Sequence, residues 1–333
     1  MKKIINQPEN IIDDMLEGFL YAFGSDFYKD ETENVIYKKS QEDKVQIIIG
    51  GGSGHEPLFL GFVGQGLADG AVIGNVFTAP PPQAILEASK ELDTGKGVLY
   101  VYGNYSGDFL NFDMGAELAD LDDIQNRTVA VCDDVASAPR SNKHDRRGIA
   151  GDIFVIKIAG AASEKGYELN KVAELAEKAN ENVFSIGVAL SPGTIPGANQ
   201  KTFELPEDEI EFGMGIHGEP GVERTKMKNA EDLTNKMLEK LFSEADLEEN
   251  EEVCVLVNGL GSTTLLELMI INKHIHKAFE EKNIKIYDSD VNSYCTTQEM
   301  AGASISVLKL DDELKDLYNQ RASSPYYYKK ERS

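Results

Sequence analysis

Residues Val45 to Leu58 read VQIIIGGGSGHEPL. The first half, VQIIIG, is a short β-rich apolar run with no polar alternation, which predicts a buried strand. The second half, GGGSGHEPL, is a glycine-rich loop that carries a histidine and turns on Glu56-Pro57. The same cycle recurs downstream. AVIG precedes NVFTAPPPQAILEASKEL, GVLYVYG precedes NYSGDFLNFDMGAELA, and TVAVCDD precedes a loop and a helical tract expected from Arg147 to Gly166. Strands alternating with helical stretches imply an α/β fold. An amphipathic helix, NIIDDMLEGFLYAF, comes before the first of them.

A second block begins near Val183 with FSIGVAL and IEFGMGIHG, followed by a helix from about Ala230 to Phe242. VCVLVNGLG, a helix from Thr263 to Phe279, IKIYDSD, ASISVLKL and a short helix complete it. The expected division is therefore two α/β domains with mixed sheets, 1–183 and 184–333. The acidic segment Ser243 to Glu252 reads as a surface connection. No repeat at a fixed period appears, which disfavours solenoids and propellers.

Composition narrows the function. A chain of 333 residues, 41% of them hydrophobic, is long enough for two cores, and 33 Lys and Arg against 57 Asp and Glu leave a formal charge of -24. Such a surface repels polyanions, so direct binding to nucleic acid or an anionic membrane is not expected. Cys132, Cys254 and Cys295 are far apart and form no CxxC pair, and no apolar run reaches a membrane span. A reducing, cytoplasmic setting is expected, with no metal site: His274 and His276 lie two apart, about 160° around a helix axis, and His144 belongs to a polar loop.

Three motifs carry chemistry. The glycines before His55 could admit a ligand to backbone N–H groups, although the run fits neither a P-loop nor G-x-G-x-x-G, and a tight turn with His55 on its rim explains it equally well. In EFGMGIHG, strand alternation would put Phe212, Met214 and Ile216 on one face and Gly213, Gly215 and His217 on the other, clearing a small pocket beside the imidazole. The competing reading is a satisfied histidine in a glycine-rich bend. Asp108 in NYSGDF falls at a helix start, where capping is the common job, yet also at the strand ends where α/β folds bind ligands. The pair Arg146-Arg147 could bind an anion, with pairing to local acids the default.

Taken together, GGGSGHEP, VFTAPPP, NYSGD, RRG and FGMGIHGEPG, in this order across almost the whole chain, resemble the substrate-binding K subunit of dihydroxyacetone kinases. The resemblance implies a homodimer of two-domain α/β chains and covalent capture of dihydroxyacetone as a hemiaminal on His217. It assigns His55 as general base and Asp108 as the residue orienting the substrate hydroxyl, with Gly52 offering a backbone contact. ATP or ADP and magnesium would belong to a partner L subunit, with no cofactor on this chain. Four positions depart from the pattern: Gly103 replaces the lysine of K-N-Y-S/T-G-D, Ala79 and Pro81 replace hydroxyl residues of F-T-S-P-T-P-D, and Gln83 replaces its closing carboxylate. Those losses are similar to the DhaQ-type coactivator offshoot, implying a non-enzymatic dihydroxyacetone sensor that partners a TetR-type transcription activator. The alternative is a working K subunit.

Overall fold

The computed structural model describes residues 2–198 and 200–332. In chain order its elements are α1 (Ile11–Phe23), β1 (Phe27–Lys29), β2 (Val35–Lys38), β3 (Gln46–Ser53), β4 (Gly70–Val76), α2 (Pro82–Leu92), β5 (Val98–Gly103), α3 (Ser106–Leu121), β6 (Asn126–Val131), α4 (Asp152–Glu164) and α5 (Leu169–Asn182). There follow β7 (Val183–Ser191), β8 (Glu209–Phe212), β9 (Glu223–Lys226), α6 (Ala230–Ala245), β10 (Glu252–Gly259), α7 (Leu265–Glu281), β11 (Lys285–Asn292), β12 (Ala301–Leu310), α8 (Asp312–Asn319), β13 (Ala322–Ser323) and β14 (Tyr328–Lys329). Among the described residues no helix is long and apolar enough to cross a membrane.

The first compact unit comprises 1–130, 155–178 and 314–333. Its sheet runs β1-β2-β4-β3-β5-β6, with β3 parallel to both β4 and β5 and β2 antiparallel to β4. Every residue of β3 is buried, as the unbroken Ile47-Ile48-Ile49 run requires of a strand covered on both faces. Helices α2 and α3 close one core: Ile85, Leu92, Phe112 and Ala116 pack with Ile48, Val72 and Tyr100, and Phe112 stacks on Tyr102 with ring centroids 4.3 Å apart. Because β4 and β5 lie on opposite sides of β3, their carboxyl ends meet where the connections change direction, the usual ligand position in open α/β sheets.

The second unit comprises 131–154 and 179–313. Its sheet runs β11-β10-β12-β7-β8-β9, with β10 and β11 parallel and the remaining pairs antiparallel. Ile186, Val255, Val257, Ile305 and Val307 form its core under Met237, Leu241 and Ile275 of α6 and α7. A capping box starts α7, with Thr264 Oγ1 accepting from Glu267 N and a Glu267 carboxylate oxygen accepting from Thr264 N at 2.9 Å.

The contacts divide the chain differently from a single cut at 183. Residues 133–135 pair with β7, with Ser185 N donating to Asp133 O at 2.8 Å and Val135 N donating to Ser185 O at 2.9 Å, which draws 131–154 into the second unit. At the other end, Ser323 N donates to Gln65 O, so the last twenty residues belong to the first. The tract expected to be helical from Arg147 starts five residues later, because Asp133 accepts from Ile149 N at 2.7 Å and Gly151 N at 2.8 Å and so holds the approach in an irregular turn.

The acidic stretch from Ser243 is not wholly surface. Its Glu244 and Ala245 end α6, and Glu244 pairs at 2.6 Å with Arg146, whose side chain is 0% exposed. Both arginines of RRG meet acids: Arg147 Nη2 lies 2.7 Å from Asp134 Oδ2. Removing one partner of a buried pair leaves a charge without its counterion. Glu244→Ala is therefore expected to destabilise the chain by about 3 kcal/mol in urea unfolding. A loss no larger than that of an exposed control such as Glu249→Ala would show that the pair is energetically idle.

Candidate functional site

In the first unit, three loops leave the carboxyl ends of β3, β4 and β5. The β3 loop is bound tightly to the β4 loop: Ser53 Oγ donates to Gly74 O at 2.7 Å, and Phe77 N donates to Ser53 O at 2.8 Å. A Cβ on Gly52 would come within 2.7 Å of Thr78 N, so only glycine permits this approach. Phe77 itself adopts φ +54°, an uncommon conformation for a bulky side chain. Its ring lies 5.2 Å from that of His55, which is 1% exposed. The imidazole is thus a buried group beside a tilted aromatic ring and not a rim residue.

The β5 loop meets the same place. Gly103 ends β5 and its carbonyl accepts from Tyr105 N at 2.8 Å. The helix N-cap is Tyr105, so Asp108 is the third residue of α3 and not its cap. The expected capping position shifts because Ser106 and Gly107 already have helical geometry. Asp108 is 8% exposed, and one turn on Asn111 Nδ2 donates to Pro80 O at 2.8 Å. A Cβ at Gly107 would sit 3.4 Å from that of Ala79. Asp108, Ala79 and Pro81 are therefore brought to one loop cluster in the first unit, and Gly52 and His55 join it through Phe77 and Thr78.

His217 belongs to the second unit. The expected strand through Glu211–Gly218 is overturned: β8 ends at Phe212, and Gly213 at φ +76° turns the chain out of the sheet, donating its N–H to Gly187 O at 2.8 Å. The segment 213–222 is the loop between β8 and β9. Met214 and Ile216 are buried even without strand alternation, Ile216 O accepting from Thr297 Oγ1 at 2.7 Å. At Gly215 a Cβ would collide with the Glu219 carboxylate and lie 2.6 Å from Arg147 Nη1.

That close approach lets Glu219 fold back on the histidine. Its Oε2 accepts from His217 N at 2.9 Å and its Oε1 lies 3.0 Å from His217 Nδ1. Arg147 braces the loop base, donating to Gly213 O at 3.0 Å while Nε and Nη2 hold Asp134. Burial alone would raise the Glu219 carboxyl, but the hydrogen bond and charge of His217, with backbone N–H donors, bring it down to about 2. A carboxylate acceptor on Nδ1 makes that nitrogen the N–H donor, so in the neutral ring the lone pair is carried by Nε2. With the His217 side chain 23% exposed, the arrangement suits a nucleophilic nitrogen. Sequence reasoning passed over Glu219, although the H-x-E spacing within the turn was its signal; Arg147 was noticed only as part of a basic pair.

An α/β chain with histidines placed on glycine-rich loops defines a broad class, and comparison with known proteins narrows it. The Dak1 domain family matches residues 17–326, and the chain belongs to that family. It is 46% identical over 330 residues to the PTS-dependent dihydroxyacetone kinase 2, dihydroxyacetone-binding subunit DhaK, of Listeria innocua, covering 98% of this chain and 99% of that one. The dihydroxyacetone kinase of C. freundii superposes with a TM-score of 0.91 at 30% identity, over 98% of this chain and 60% of that one. The dihydroxyacetone kinase operon co-activator Dha-DhaQ does so with 0.89 at 32%, over 95% and 98%.

The Glu219 assignment is open to direct measurement. Nitrogen-15 NMR of the His217 ring is expected to show the Nδ1–H tautomer in the wild type and a mixture in Glu219→Gln. Glu219 is held below its unfolded value, so it stabilises the fold above about pH 4.3 and loses that effect as pH falls towards 2. Glu219→Gln is accordingly expected to flatten the acid limb of the stability profile. An unchanged limb and tautomer would remove Glu219 from the site.

Proposed function

We propose that this chain is a dihydroxyacetone-binding subunit that captures the ketone covalently on His217. The observation that carries the reading is the 3.0 Å contact of His217 Nδ1 with Glu219, in a loop whose residues follow the family's histidine motif. Nε2 attacks the C2 carbonyl, forming the N–C bond while the C=O π pair moves to oxygen. The alkoxide takes a proton from solvent while the Nδ1 proton, hydrogen-bonded to the Glu219 carboxylate, is released to solvent, so a neutral hemiaminal results with no net change in protons. Glycerol has comparable size and hydroxyls but no carbonyl, so it cannot be held this way.

The full-length relatives named as DhaK subunits of PTS-dependent kinases support a phosphotransfer role. On that reading the captured triose is presented to a phosphoryl-bearing L subunit, with His55 as general base and Asp108 orienting the substrate hydroxyl. Nucleotide and magnesium would sit on the partner, because the glycine loop here lacks the lysine and hydroxyl of a P-loop. A cytoplasmic homodimer completes this proposal.

A second reading is favoured by one specific feature. At Gly103, where the family has a lysine, β5 ends without a side chain, and Ala79 and Pro81 remove hydroxyls from the adjoining loop. Loss of a charged donor at a phosphoryl-transfer centre costs about 2 to 4 kcal/mol, ~30- to 1000-fold in rate. Capture does not need that donor. The chain would then be a dihydroxyacetone sensor and coactivator of a TetR-type transcription activator, a role supported by its likeness to Dha-DhaQ.

With dihydroxyacetone carrying carbon-13 at C2, the carbonyl signal is expected to give way to a tetrahedral one on binding. Native mass spectrometry would show one added triose per chain. His217→Ala is expected to abolish both signals, whereas His55→Ala leaves them largely intact; the opposite outcome would mean the two histidines have been exchanged in role. To separate the two fates, the chain is mixed with an L subunit, its phosphoryl donor system and dihydroxyacetone. Turnover equal to that of a lysine-bearing K subunit eliminates the sensor reading, and a rate at least ~30-fold lower eliminates the kinase reading.

A further inference from the structure

The helix α1 presents Met15, Gly18, Phe19, Ala22 and Phe23 at intervals of three and four, hence on one face. That face forms one wall of a cavity of about 520 Å³. Glu56, Pro57, Leu60 and Gly61, the segment directly following His55, form the opposite wall, and Tyr326 closes one end against Phe23, ring centroids 5.8 Å apart. All of these residues belong to the first unit. The volume falls within the range of about 300 to 1,000 Å³ typical of small-molecule sites.

Two independent features say what would fill it. A glycine inside a helix costs roughly 1 kcal/mol relative to alanine, yet Gly18 stands in the middle of α1 with nothing within 4 Å of where its Cβ would be. Gly18 is exposed, so that space opens from the cavity to solvent and no atom of the described residues occupies it. Secondly, Glu56 is the one carboxylate among the described residues that line the cavity; it is half-buried among apolar and aromatic groups, with its oxygens 3.0 and 3.1 Å from Gly54 N. In a chain of formal charge -24 such a site attracts a cation and repels an anion. Phe19, Phe23 and Tyr326 offer ring edges and faces to a flat apolar body.

We propose that this cavity binds a small aromatic amine, its ring between α1 and Tyr326 and its ammonium on Glu56. Because the opposite wall is the segment that follows His55, the occupant would be an effector of that loop and not a substrate. The proposal stands independently of ketone capture, since an amine has no carbonyl for His217 to attack.

Tryptamine serves as the probe, with indole-3-propionate as a partner of like ring and opposite charge. Calorimetry on the full chain is expected to give one tryptamine per chain with Kd near ~1 mM or tighter. Indole-3-propionate should bind at least ~10-fold more weakly, and Glu56→Gln should weaken tryptamine about tenfold. Gly18→Leu, which improves helix propensity and fills the gap, should remove binding while dihydroxyacetone capture by the same variant persists. Hydrogen exchange at residues 54–61 should slow when tryptamine is bound. No saturable binding up to ~10 mM, equal binding of the anion, or wild-type binding by Gly18→Leu would each overturn the proposal. So would a second copy of the chain closing the cavity, which would show as a dimer that excludes the probe.

Discussion

Both histidine-bearing loops are built on backbone that lies closer to its neighbours than any Cβ allows. At Gly52 the neighbour is the Thr78 amide; at Gly215 it is the Glu219 carboxylate and the Arg147 guanidinium. In the first case the approach ties the β3 loop to the β4 loop and puts Phe77 against a buried His55. In the second it lets a carboxylate double back two residues and fix the ring of His217. The glycines thus determine which polar groups can be reached, and the chemistry of each loop follows from that. Stiffening either position would cost contacts on both sides of it, because the atoms in the way are mainly backbone or already paired groups.

The parts of the fold that were legible in the sequence are those where local pattern and burial agree. Ile47-Ile48-Ile49 reads as a covered strand, and the helix expected from Thr263 begins two residues on, at Leu265. What escaped is long-range. Residues 133–135 add to β7 fifty positions later, and nothing in VCDD announces that pairing. Likewise Glu244 sits in a run of acids that reads as solvated, and only its meeting with Arg146, about a hundred residues away, makes it a buried ion. In the Phe212–Gly221 stretch, alternation of large residues and glycine imitates a strand. Gly213 at φ +76° breaks it, while Met214 and Ile216 stay buried because the loop, not a sheet, packs them.

The candidate site was legible to a different degree for each residue. The motif singled out His217, His55 and Asp108, but their settings differ: His55 is enclosed, His217 is half-buried and Asp108 lies inside the first turn of α3. Glu219 was in plain view within the turn and went unread, since a Glu-Pro pair next to glycine looks like turn chemistry alone. Its second use, as acceptor for both the His217 amide and ring, needs a backbone conformation that only the three-dimensional arrangement supplies.

These differences bear on which fate the captured ligand meets under the proposed reading. Hemiaminal formation needs a nucleophilic nitrogen, a proton acceptor beside Nδ1 and access for a ketone, all of which are local to the 213–222 loop. Phosphoryl transfer asks in addition for cations and donors that stabilise charge as it develops. The β5 end at Gly103 supplies a backbone turn in place of a cation, and the neighbouring Ala79 and Pro81 supply no hydroxyl. Against that stands 46% identity, end to end, with a protein named as a kinase subunit. Identity of that extent describes the chain as a whole, whereas the donor set is a matter of a few side chains. Capture is therefore the property common to both readings, and the missing charge at position 103 is the narrow chemical difference on which they part.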